Sequence, residues 1–281
     1  MIDRARRLRP LAPAMVVLAL ALAWQLPDAG WLRLSASDGT TADRMTTALD
    51  RLPDEPRMLV GFDPDIGTYA EIRPTVRALL ADLLARDGRL AVVSLTAEGR
   101  ALASAELARL ARGRANADRL LDLGFITGAE AGLVDITRDI RLPDGVPDSL
   151  FAGMVARDGL GAFDGIATIG GIDLGPRSWV EQVAPRTGDL PMVAVVPTVL
   201  LPQVQPYVAG GQLAAVLGTP RDGAAYRESV ELGDLDRLRE PFEPRSLPVL
   251  VGVLITIAVL GQALGTRVMD ALRAIRAREA A

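Results

Sequence analysis

The chain contains no lysine, no histidine and no cysteine, and all 31 of its basic residues are arginine. Each absence removes a class of chemistry. Without histidine there is no Ser-His-Asp triad, and no imidazole to serve as base or metal ligand. Without cysteine this chain holds no thiolate nucleophile, disulfide, thiolate zinc site or iron–sulfur cluster. Without lysine there is no Schiff base, no Ser-Lys dyad and no phosphate-loop lysine. Carboxylates, arginine, Ser/Thr hydroxyls and tyrosine remain, which points away from an enzyme. The lack of cysteine does not assign a redox compartment, because a domain of this size folds outside the cell without disulfides. Aromatic residues make up only 4% of the chain. A Glu–Asp pair for glycoside hydrolysis is conceivable, but few rings are available for sugars to stack on. The arginine- and alanine-rich, lysine-free composition fits a GC-rich bacterial genome.

The chain does contain two long uncharged runs. Leu247 to Thr266 is free of charge, with Arg245 just before it and Arg267 just after. At about 1.5 Å rise per residue a helix of this length covers the roughly 30 Å hydrocarbon core of a bilayer. A transmembrane helix is therefore predicted over 247–266. The second run, 10–27, follows a basic segment, 1–9, that carries Arg4, Arg6, Arg7 and Arg9. It has the n-region and h-region of a secretory signal, but no small-x-small cleavage site follows its core. It is expected to stay as a short anchor, with cleavage as the alternative. Trp24 and Trp31 suit an outer aromatic belt.

Charge then sets the topology. Both flanks are arginine-rich, whereas Asp28 to Arg245 holds 23 of the arginines and 32 of the 35 acids, a net charge near −9. The positive-inside rule places both termini in the cytoplasm and the acidic segment outside, in a bacterial cell membrane. Such an acidic domain is a poor partner for nucleic acid. After Arg267, residues Val268, Leu272 and Ile275 share one helical face. That tail, 267–281, is expected either to lie on the anionic inner leaflet or to continue the span.

Between the runs, 28–57 reads as a polar stalk with a short helix over 41–52. From Met58 onward short apolar runs alternate with helical ones: strands at 58–62, 90–95, 120–126, 165–169, 192–196 and 213–217, with helices between them. These strands lack period-two alternation, the pattern of a parallel sheet buried on both faces. The fold class predicted for 58–231 is α/β: one three-layer, Rossmann-like domain with a mostly parallel sheet of about six strands. A linker, 232–246, leads to the second span. The segment 137–162 reads as a surface excursion with a short helix near 149–155.

In such sheets ligands gather at the carboxyl ends of the strands. The candidates there are Asp63, Asp65, Thr96, Glu130, Gly170, Gly171 and Asp173. Asp63-Pro64-Asp65 places two carboxylates just past the first strand, where oxygen ligands would suit Mg²⁺ or Ca²⁺. Its plainer reading is a turn and cap. No cofactor is otherwise expected. Gly170-Gly171-Ile172-Asp173 brings backbone amides near a possible anion, but it is not the G-x-G-x-x-G fingerprint. Ser94 and Ser178 have no histidine or lysine to activate them. In the second span Gly261, Gln262 and Gly265 form a GxxxG-type face, which permits helix pairing with a membrane protein or a second copy. The expected function is a non-enzymatic binding or assembly subunit of a membrane complex. The alternatives are a metal-dependent enzyme using Asp63 and Asp65, or a domain that captures a small solute.

Overall fold

The computed structural model describes residues 40–112, 117–138, 140, 159–171, 174–230, 232 and 265. Those between 40 and 232 form an α/β domain within the unit Ala36–Phe242. In chain order the elements are α1 (Thr40–Asp50), β1 (Arg57–Asp63), α2 (Ile66–Ala85), β2 (Arg89–Ser94), α3 (Ala97–Ala111), β3 (Leu120–Phe125) and α4 (Glu130–Ile136). They continue as β4 (Gly165–Gly170), α5 (Pro176–Gln182), α6 (Ala184–Thr187), β5 (Met192–Val195), α7 (Leu201–Ala209), β6 (Ala215–Leu217) and α8 (Pro220–Ser229). Short 3₁₀ turns at Gly159–Ala162 and Thr198–Leu200 precede β4 and α7.

All six strands are parallel, in the order β3-β2-β1-β4-β5-β6. The chain winds outward from β1 to β3, returns to lay β4 beside β1, and winds outward again to β6. The direction therefore reverses between β1 and β4, where Asp63 sits in register with Gly170.

Alternate residues of each strand feed two separate cores. Met58, Val60, Phe62, Leu90, Val92, Ile169 and Val195 face α1, α2, α3 and α8. Leu59, Ala91, Val93, Ile166, Ala194 and Val196 face α4, α5 and α7. With helices on both faces, every inner strand position must be apolar, which is why the strands read as unbroken hydrophobic runs.

Three details depart from the sequence-based expectation. The helical spacing of Val76, Leu79, Leu80, Leu83 and Leu84 predicts a helix over 73–86, but α2 begins at Ile66, because Asp65 caps it by accepting the Thr68 N–H at 2.9 Å. Pro74 lies inside the helix. The expected stalk is also part of the fold over its second half: α1 buries Met45 and Leu49 in the first core. A polar network fixes α1 there. The Tyr226 hydroxyl of α8 donates to Asp82 of α2, and Arg86 bridges both Asp82 and Asp50 of α1. Finally, β6 is two residues shorter than expected.

Among the described residues no helix is long and apolar enough to cross a membrane. The expected spans, 10–27 and 247–266, lie outside the described residues except for Gly265, which is helical. Gly261, Gln262, the tail 267–281 and the helix near 149–155 lie outside them as well.

Candidate functional site

The carboxyl edge of the sheet brings together most of the residues that the sequence singled out. Asp63 ends β1 and is 2% exposed. Its Oδ1 accepts the backbone N–H groups of Leu95 at 2.6 Å and Thr96 at 3.1 Å, in the turn from β2 to α3. Thr96 in turn caps α3, its hydroxyl accepting the Gly99 N–H at 3.0 Å. A carboxylate from β1 thus occupies the start of α3, where a bound anion would otherwise meet free amides.

The other oxygen, Oδ2, is buried without a hydrogen-bond partner, as is Nε1 of Trp179. The indole N–H lies close enough to favour the charged carboxylate, yet the two atoms do not meet at hydrogen-bonding geometry. Burial dominates and pushes the Asp63 carboxyl up to about 7, against the lowering effect of the Leu95 and Thr96 amides and the indole. Asp65 behaves in the opposite way. Burial raises it, but the hydroxyl and N–H of Thr68 outweigh that and hold the carboxyl below its ordinary range. Both Asp65 oxygens are taken by Thr68, one by its N–H and one by its hydroxyl.

The crevice at the β1/β4 reversal is closed by direct contact. A Cβ on Gly171 would stand 2.5 Å from the Asp63 carbonyl oxygen, so the loop after β4 lies flat on the end of β1. Two strand positions further in, a Cβ on Gly61 would stand 2.4 Å from the Trp179 ring, which is fully buried. Gly170 ends β4 with Pro176 packed against it, so that a Cβ there would stand 2.2 Å from the proline ring, and Asp173 lies outside the described residues. The best-formed cavities among the described residues hold about 10 Å³ each, room for at most one water.

Three of the other strand-to-helix turns repeat the device used at Asp63, whereas α4 and α5 start without a side-chain cap. Glu98, in the first turn of α3, accepts the Ile66 N–H at the start of α2, at 3.1 Å. Glu71 of α2 accepts the N–H of Thr198 at 3.0 Å, together with its hydroxyl, in the turn before α7. Asp222 and Thr219 form a reciprocal capping box on α8. Glu130, the first residue of α4, accepts the buried Ser178 hydroxyl at 3.2 Å and so ties α4 to α5. Ser178 is a tether here and presents no nucleophile to solvent. Ser94 is fully buried on the opposite face of the sheet.

Glu71 and Trp179 carry no local signal, because their roles arise from contacts across 127 and about 118 residues respectively. Glu98 carried a partial signal, an acid in the first turn of a helix after a strand. Among the described residues no three Asp or Glu side chains converge as a cation site. Comparison with known proteins finds no matching family model, no similar curated protein and no similar solved structure.

Proposed function

We propose that the chain is a membrane-anchored bacterial protein whose acidic α/β domain lies outside the cytoplasm and serves as a non-enzymatic binding or assembly subunit of a membrane complex. The observation that carries this reading is the state of the carboxyl edge. Sheets of this kind hold ligands in the crevice at the strand reversal and at helix starts. In this chain Gly171 and Trp179 close that crevice, while Asp63, Glu98 and Glu71 already accept the amides that an anion would need. The missing histidine, cysteine and lysine remove most catalytic side chains from whatever space is left. A domain closed in this way works through its outer surface.

The membrane part of the proposal rests on the two uncharged runs and their arginine flanks. The second span, with Gly261, Gln262 and Gly265, is the proposed route to helix pairing with a partner or a second copy. A metal-dependent reading of Asp63 and Asp65 is less favoured, since both would have to leave hydrogen bonds to take up a cation.

The test is purification of the full-length chain in mild detergent, with a topology reporter fused after Ala281. The expected result is a stable complex larger than one chain and a reporter active only on the cytoplasmic side. A lone monomer with nothing bound, or a reporter active outside, would overturn the proposal.

A further inference from the structure

The large apolar side chains exposed among the described residues are Ile66, Phe125 and Val199, and all three stand on the carboxyl edge. Ile66 opens α2 after β1, Phe125 ends β3, and Val199 follows β5. Ile66 is 66% exposed, Val199 64% and Phe125 48%. From β3 to β5 is four strand spacings, so these side chains mark out roughly 20 Å of rim.

Carboxylates are interleaved with them. Glu98 uses Oε2 on the Ile66 amide, Glu71 uses Oε1 on Thr198, and Glu130 uses Oε1 on Ser178. None of the three is fully buried: Glu98 is exposed, and Glu71 and Glu130 are half-buried. The turns after β1, β2, β3 and β5 contain no arginine. Arginine enters in the helices: Arg100 of α3 bridges Asp122 of β3 at 2.7 Å, and Arg177 and Arg221 open the helices after β4 and β6.

We propose that this rim is a protein-docking surface, and that its partner presents arginine or lysine between aliphatic side chains. The proposal rests on the binding or assembly reading above and assigns that role to one edge. Exposed aliphatic and aromatic anchors gain by leaving water, and carboxylates already held by backbone contacts need little further ordering to receive a cation. Charge complementarity selects the occupant. The domain segment is net acidic, so a cationic partner is attracted. A second copy docking edge to edge would set Glu71 and Glu98 against their own counterparts, and an anionic lipid surface would be repelled likewise.

The test is site-specific cross-linking of the full-length chain in intact membranes. A photoreactive phenylalanine is placed at Ile66, Phe125 or Val199, and as controls at Asp87 and Asp189 on the opposite edge. The expected result is one and the same partner protein from all three rim positions, captured through a peptide that contains arginine or lysine. A Glu71→Gln, Glu98→Gln pair keeps the amide-accepting oxygens and removes the charges. It should lower the rim cross-link at least fivefold with the melting temperature unchanged. Adducts to a second copy or to lipid, no adduct from the rim, or a yield indifferent to the glutamine pair would each overturn the proposal. A partner captured only from Asp87 or Asp189 overturns the rim while leaving the assembly reading intact. No partner in cross-linking or in detergent overturns both.

Discussion

At the amino edge of the sheet, charges of both signs meet each other. Arg57 at the start of β1 bridges Asp164 before β4 at 3.3 Å, and Arg119 before β3 bridges Asp87 before β2 at 2.8 Å. Asp164 also accepts the Arg57 N–H, so the pair fixes backbone as well as charge. At the carboxyl edge the same kinds of acid are turned onto backbone amides, and the side chains left to solvent are Ile66, Phe125 and Val199. One edge is thus marked by charges that satisfy each other. Acids held on backbone amides among exposed apolar groups mark the other edge, which is the one proposed to dock a partner. In a protein whose ligand crevice is closed, that asymmetry is the feature on which function can act.

Substitutions can break the comparison, and the largest effect should come from the closure itself. Trp179 is fully buried against Gly61 and has no room to be replaced by a rearranged neighbour. Trp179→Ala should cost about 3–5 kcal/mol in chemical denaturation. A loss below about 1 kcal/mol would mean that the reversal point is not closed by packing.

Asp63 comes next, and its signature is a dependence on pH. Its carboxyl is pushed up from 3.8 to about 7 by burial. A raised acid stabilises the fold fully below its unfolded pKa, and this contribution is lost as pH rises through the folded pKa. The wild-type chain should therefore lose a few kcal/mol of this contribution between about pH 4 and 7. Asp63→Asn should flatten that slope and be the more stable form at pH 8. Parallel denaturation curves of both proteins at pH 5 and 8 are the check, and identical slopes would rule out Asp63 as the source.

The amino-edge pairs should matter much less. The Arg57 side chain is 42% exposed and that of Asp164 22%, so solvent screening leaves the Arg57→Ala change near 0.5 kcal/mol, and less in high salt. Smallest of all, Ile66→Asp and Val199→Asp should shift stability by no more than about 0.5 kcal/mol, because both side chains are already in water. A large loss in melting temperature there would show that these residues belong to the core and not to a docking rim.

Much of this architecture is legible in the residue order. MLVGF, LAVVS, GIATI and MVAVV announce strands buried on both faces, and Thr96 announces the cap of α3. Asp65 as a cap was equally visible, although the weak helix formers Ile66, Gly67 and Thr68, followed by Pro74, concealed the two turns of α2 that it starts. The site was legible only in part. Asp63 was marked by its place after β1, but local sequence says nothing about its burial or about Trp179 above Gly61, which reaches it through the long return from β3 to β4. Glu71 was hidden for the same reason: its partner Thr198 lies on the far side of the reversal.

The claim that the carboxyl edge is closed by the chain's own acids is tested most directly by thermal melting of the full-length protein with small anions and cations. Millimolar phosphate, nucleoside diphosphates and triphosphates, Mg²⁺ and Ca²⁺ should each leave the melting temperature unchanged. A ligand present at about 100 times its Kd would add about 2.7 kcal/mol of stability. A saturable upward shift of that size, abolished by Gly171→Ala or Asp63→Asn, would show that the crevice opens to a ligand and would contradict this account.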